Sequence, residues 1–313
     1  MSDAATRSPL ASRVVTDPVA ISIKGAVKRF GALTAVNGLD LEIPSGICFG
    51  LLGPNGAGKS TTMRMLTAQT LPDAGEIEVL GFQLPAESKQ ARSDMGVCPQ
   101  LDNLDVELTA RQTLDVFSRL YRVPRADRPA AIERALTIAN LGERADTKVS
   151  ELSGGMRRRL LIGRCLVHRP RLVLLDEPTV GLDPQVRQEL WSLIDTLRSD
   201  GVTVLMSTHY IEEAERLADT VGVMSAGSIV ALGTPSDLIT AHAGREVIEV
   251  FGPAEELAAR AAEAAERGWP TRRSGPALSF LRAEELDGDA PEGFRRPANL
   301  EDAFVMLTGQ EIE

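Results

Sequence analysis

The sequence predicts an α/β protein: a mostly parallel sheet with helices on both faces. Three observations carry this prediction. The apolar run Ile47-Cys48-Phe49-Gly50-Leu51-Leu52 leads through a glycine-rich turn into the helical stretch Thr61-Thr62-Met63-Arg64-Met65-Leu66. Leu172-Val173-Leu174-Leu175 is continuously apolar, as a strand is when both its faces are covered. A helical stretch and another apolar run, Val202-Thr203-Val204-Leu205-Met206, follow it. Such β-α-β alternation gives right-handed parallel crossovers.

The elements follow in chain order. Residues 1–17 read as a mobile tail. Val19 to Ile23 reads as a strand, and Leu39 to Ile43, which alternates clearly, as an antiparallel one. Phe30 and Gly31 lie between them. Leu71-Pro72-Asp73-Ala74-Gly75 is a turn leading to a short strand near Ile77–Leu80, and Met95–Cys98 is a short strand ending at Pro99-Gln100. From about 109 to 168 the pattern is helical. Thr109 with Gln112 fits a capping box, and Ile132, Ala135, Leu136 and Ala139 share one helical face. This block interrupts a strand-rich pattern, so it reads as an inserted subdomain spanning about 101–168. Asp183 is placed as an N-cap with Pro184 at the first helical position. Val186, Leu190, Leu193, Ile194 and Leu197 then line one face, and Gly201 ends the helix. Beyond residue 242 the composition shifts: a strand at Val247–Phe251, an Ala- and Glu-rich helix over 253–267, a strand at Ala277–Leu281 and a helix at Leu300–Leu307. The expected division is a tail at 1–17, a main α/β unit at 18–242 and a small α+β unit at 243–313.

Bulk chemistry narrows the function. Among 313 residues, 34 are basic and 44 acidic, a net charge of −10; a nucleic-acid binder would carry a basic surface. Cys48, Cys98 and Cys165 are far apart and form no C-x-x-C pair, which reads as buried reduced thiols. No apolar run approaches the ~18–20 residues that span a bilayer, so a membrane role requires a span from another chain.

Three motifs carry chemistry. Gly53-Pro54-Asn55-Gly56-Ala57-Gly58-Lys59-Ser60-Thr61 fits G-x-x-x-x-G-K-[ST]. Its glycines let the backbone aim N–H groups at an anion. Lys59 adds a point charge for β- and γ-phosphates, and Ser60 can hold Mg²⁺. Asp176 and Glu177 end the buried strand Leu172–Leu175, where ligands bind in such sheets. Asp176 suits Mg²⁺, and Glu177 suits proton acceptance from an attacking water. In Leu152-Ser153-Gly154-Gly155-Met156, Ser153 is placed as an N-cap and the glycines allow close approach of an anion to a helix N-terminus. Alone, that third motif is weak.

Together these motifs resemble the ATP-binding cassette family, the ATPase subunits of ABC transporters. The resemblance runs from about Val19 to Thr240 and adds Gln100, Gly181-Leu182-Asp183 and His209 in family order. It implies a P-loop NTPase of the cassette type: a RecA-like core, an antiparallel β subdomain and a helical insert. It implies ATP and Mg²⁺, with Phe30 stacked on adenine, Gln100 near Mg²⁺ or the lytic water, and His209 on the γ-phosphate. Ser153, Gly154, Gly155 and Asp183 would face the nucleotide of a second copy, closing two chains over two ATP molecules. Met156 stands where many relatives have Gln, and Phe30 where Tyr is commoner; stacking needs only the ring face.

A narrower resemblance rests on Cys48–Thr61, Asp102-Asn103-Leu104-Asp105 and the stretch from Arg296 to Phe304. These look like the ATPases of nodulation-factor exporters and of daunorubicin-resistance type drug exporters. This implies export of a hydrophobic or lipid-like molecule or drug through a separate membrane subunit, from the cytoplasmic face of the cell membrane. The alternatives are a soluble cassette ATPase without a transport role, and an inactive binding module. Lys59, Asp176, Glu177 and His209 argue against the second. A single cassette with a compact insert argues against the first.

Overall fold

The computed structural model of the protein describes residues 19–286 and 290–309; the expected tail lies outside them. The chain begins with an antiparallel pair, β1 (Val19–Phe30) and β2 (Leu33–Pro44). Both strands run further than their alternation predicts. Gly25 and Gly38, with φ of 58° and 61°, sit in bulges that shift the register and break the period of two. Next come β3 (Cys48–Leu52), α1 (Lys59–Leu66), β4 (Ala74–Val79), β5 (Phe82–Leu84), α2 (Ser88–Ser93) and β6 (Met95–Cys98).

The helical insert contains α3 (Ala110–Leu120), α4 (Arg128–Ile138) and α5 (Gly154–Leu166). At the start of α3 the predicted capping box forms: Gln112 N donates to Thr109 Oγ1 at 3.2 Å, and Thr109 N to Gln112 Oε1 at 2.9 Å. Leu114, Ile132, Ala135 and Leu136 form a separate small core with Leu160 of α5. The opposite side of α5, with Leu161, Ile162 and Cys165, enters the main core. One helix thus fastens the insert to the sheet.

Sheet structure resumes with β7 (Leu172–Asp176), α6 (Pro184–Ser199), β8 (Thr203–Thr208), α7 (Ile211–Leu217), β9 (Thr220–Ser225) and β10 (Ser228–Gly233). Val186 N donates to the N-cap Asp183 Oδ1 at 3.0 Å. Six strands align as β10-β9-β3-β8-β7-β6, parallel except for the β9–β10 hairpin. An antiparallel sheet, β2-β1-β4-β5, covers one face. The side chains of β3 divide accordingly: Phe49 and Leu51 pack toward the antiparallel sheet, and Cys48 and Leu52 toward the helices. All three cysteines are buried and free, and burial pushes the Cys48 thiol up to about 12.

The chain ends with α8 (Pro235–His242), β11 (Glu246–Phe251), α9 (Ala254–Glu266), β12 (Thr271–Ser274), β13 (Ala277–Phe280), β14 (Phe294–Pro297) and α10 (Leu300–Thr308). A third, antiparallel sheet, β12-β13-β11-β14, packs Ile248, Val250, Leu278 and Phe280 against Leu257 and Ala264 of α9. The last helix belongs elsewhere. Leu300, Ala303 and Phe304 of α10 are fully buried in the main core beside α7 and α8. Strands β12 and β14, Thr-Arg-Arg-Ser and Phe-Arg-Arg-Pro, have no apolar alternation, which is why the sequence does not announce them.

Candidate active site

Four chain segments meet at the carboxyl ends of the parallel strands. The glycine-rich loop follows β3, Gln100 follows β6, Asp176 and Glu177 end β7, and His209 follows β8. The strand order puts β8 between β3 and β7, with Ser207 in register beside Asp176. Ligands bind at this edge of open parallel sheets. Glycine is required in the loop for space: a Cβ on Gly53 would lie 2.3 Å from Met224 O, and one on Gly58 2.4 Å from Ala35 O. Gly58 also has φ 108° as it caps α1.

Glu177 is the hub. Gln100 Nε2 donates to its Oε2 at 2.7 Å, His209 Nδ1 lies 3.3 Å from Oε1, and Lys59 Nζ lies 3.6 Å from Oε1. Lys59 and Glu177 are 4% and 6% exposed, so water screens this pair weakly. Lys59 Nζ also donates to Gly53 O at 2.7 Å and Pro54 O at 3.1 Å. Burial lowers the Lys59 pKa, and the Glu177 carboxylate opposes that shift. Glu177 has φ 46°, a left-handed conformation costing about 1–3 kcal/mol in a non-glycine residue. That backbone is held in place: Glu177 N donates to Ser207 Oγ at 3.1 Å, and Ser207 Oγ donates to Asp176 Oδ1 at 2.5 Å.

Ser60 Oγ donates to Asp176 Oδ1 at 3.2 Å. These two hard oxygens are of the kind Mg²⁺ takes, and they would hold it together with phosphate and water. The residues therefore fit a magnesium nucleotide.

Ser153, Gly154, Gly155 and Asp183 line a cavity of about 520 Å³ that Gln100 also borders and that Lys59 does not share. Ser153 caps α5 as expected, accepting from Met156 N at 3.3 Å. Phe30, at the end of β1, is 49% exposed, with Lys28 Nζ 5.4 Å from its ring centre. Sequence reasoning missed Ser207 and Arg158. Ser207 had a readable signal, a polar residue next to the end of a buried strand. Arg158 had none, since it lies between Arg157 and Arg159.

An ABC transporter family profile matches residues 36–180. Over 304 residues the chain is 43% identical to a Nod factor export ATP-binding protein I of Ralstonia nicotianae, covering 93% of this chain and 94% of the relative. It is 45% identical over 305 residues to one of Rhizobium sp. (strain N33), covering 94% and 99%. The chain belongs to the ABC transporter ATP-binding family. It is an ABC-type ATPase, and it has the cassette fold, a parallel sheet with an antiparallel subdomain. Among solved structures, a dimeric ATP-binding cassette bound to ADP and Pi in a post-hydrolysis state is 27% identical. It superposes with a TM-score of 0.62 over 68% of this chain and 98% of that one. No helix among the described residues is long and apolar enough to cross a membrane.

Proposed function

We propose that this cassette is the ATP-hydrolysing subunit of an exporter. It would act on the cytoplasmic face of the cell membrane and drive a hydrophobic or lipid-like molecule, or a drug, through a separate membrane-spanning permease. Near full-length similarity to proteins named for Nod factor export supports export. In this reading residues 18–242 are the cassette, about 101–168 its helical subdomain and 243–313 an accessory unit.

The observation that carries the chemistry is the convergence of Lys59, Gln100 and His209 on the one carboxylate of Glu177. Residues 53–61 cradle the phosphates with main-chain N–H groups, and Lys59 adds its charge to the β- and γ-oxygens. Ser60 and Asp176, with Gln100 beside them, would hold magnesium, which neutralises phosphate charge when bound. Glu177 orients the attacking water and takes its proton; Gln100 and His209 fix the carboxylate, and His209 reaches the γ-phosphate. Phe30 offers its exposed ring face to adenine. Ser153, Gly154, Gly155 and Asp183 serve the nucleotide of a second copy, so two cassettes close over two ATP molecules. The cavity that this group lines without Lys59, and the dimeric cassette among the similar structures, support this arrangement.

The test is Glu177→Gln in the full-length chain. Nucleotide affinity stays within a few-fold, turnover falls by on the order of 10²-fold or more, and an ATP-bound dimer accumulates on size exclusion. Hydrolysis at the parent rate would falsify the role of Glu177.

A further inference from the structure

We infer that Arg158 is a positioning residue for hydrolysis: it clamps the two segments bearing Gln100 and Glu177 to each other and to helix α5. The inference rests on the roles given above to Gln100 and Glu177. Arg158 is 8% exposed, and among the described residues its guanidinium hydrogen-bonds to main-chain carbonyls. Nε donates to Pro178 O at 2.7 Å. Nη1 donates to Pro99 O at 2.8 Å and Gln100 O at 3.1 Å. Nη2 donates to Asp176 O at 3.2 Å and Glu177 O at 3.0 Å. A guanidinium has five N–H donors in one rigid plane, and here five carbonyls receive them.

Those carbonyls come from two segments only: Pro99-Gln100 after β6, and Asp176-Glu177-Pro178 at the end of β7. The left-handed turn at Glu177 brings three successive carbonyls round to one cation. Beyond the clamp, the side chains of the same two segments meet in the Gln100–Glu177 hydrogen bond at 2.7 Å. Arg158 therefore sets the backbone from which that bond is made.

Its own support is firm. Helix α5 is buried on two sides, in the core of the insert and in the main core. The helix starts at the Ser153 cap, on the group assigned to the neighbouring copy's nucleotide. Arg158 thus links that group to the water-orienting pair of its own site by one stiff element. A lysine would keep the charge but not the plane; its single ammonium cannot bridge both segments as a fork does.

Full-length Arg158→Met and Arg158→Lys are compared with the parent chain in steady-state ATP hydrolysis, with nucleotide affinity measured separately. For Arg158→Met, kcat falls on the order of 10²-fold, the scale of losing alignment by about an ångström; for Arg158→Lys it falls by about tenfold or more. KM and nucleotide affinity stay within about threefold for both. In a Gln100→Ala background, Arg158→Met costs less than about threefold more, since both changes disturb one unit. Parent-like kcat in both Arg158 variants, full additivity with Gln100→Ala, or nucleotide affinity falling in step with kcat would each overturn the inference. If Arg158→Met does not fold, Arg158→Lys alone decides by the same split. Parent-level turnover in Gln100→Ala and Glu177→Gln sinks the site assignment itself. Slow turnover there with normal Arg158 variants sinks only the clamp.

Discussion

Lys59 has its charge stabilised by the Gly53 and Pro54 carbonyls and the Glu177 carboxylate, against a burial cost that lowers its pKa. A charged hydrogen bond contributes about 1.5–3 kcal/mol. Lys59→Ala should therefore weaken ATP binding by roughly 10- to 100-fold and abolish measurable turnover, as read by nucleotide titration and phosphate release. Unchanged affinity would mean that the ammonium does not reach the phosphates. At this scale the sequence was most informative. The spacing of glycines, Lys59 and Ser60 predicts a loop between a strand and a helix, and the structure places it between β3 and α1.

Helix α7 shows what an element adds. Its Glu213 carboxylate is 1% exposed and, among the described residues, accepts from neutral donors: Trp191 Nε1 of α6 at 3.2 Å, Thr208 Oγ1 of β8 at 2.7 Å, and the Thr179 hydroxyl of the loop after β7. Thr208 Oγ1 in turn accepts from Tyr210 N at 2.9 Å, which shapes the turn carrying His209. Glu213→Gln replaces one acceptor by a donor and leaves a hydroxyl or indole without a partner, at about 1–3 kcal/mol. The melting temperature should fall by roughly 2–10 °C and kcat should drop as the His209 turn loosens. Thermal unfolding and hydrolysis assays check both, and a parent-like melting curve would exclude the bridging role. The caps at Thr109, Ser153 and Asp183 were readable because capping is local. The Glu213 bridge was not, since its donors lie 5 to 34 positions away in sequence.

At the scale of the molecule, Asp302 ties the third sheet to the main core. It is fully buried, accepts from Arg296 Nη1 at 2.7 Å and Arg272 Nη1 at 2.9 Å, and caps α10 through Asn299 N at 3.1 Å. Leu300 N of α10 donates to Glu215 Oε2 of α7 at 3.2 Å. Burial raises the Asp302 pKa, but the hydrogen bonds from Arg296 and Asn299 N outweigh it and lower the pKa overall. A folded pKa below the unfolded one gives stability above about pH 4 that is lost as pH falls further. Asp302→Asn should cost about 1–3 kcal/mol, because buried Arg272 and half-buried Arg296 each lose one of two carboxylate partners and keep Glu301 and Glu249 respectively, and should flatten the acid limb of a stability–pH curve. Proteolysis should then open residues 243–309 first; unchanged resistance would show that apolar packing of α10 suffices.

The sequence by itself determined the α/β class, the glycine-rich loop between β3 and α1, the carboxylates at the end of β7 and the helix caps. Each of these is written in contiguous residues or a short period. Only the tertiary structure decided that Lys59, Gln100 and His209 converge on Glu177, that Arg158 clamps two loops, and that α10 leaves its own sheet to fill the main core. Those contacts join residues distant in the chain, and a hydrogen bond or a packed ring depends on where the fold delivers both partners.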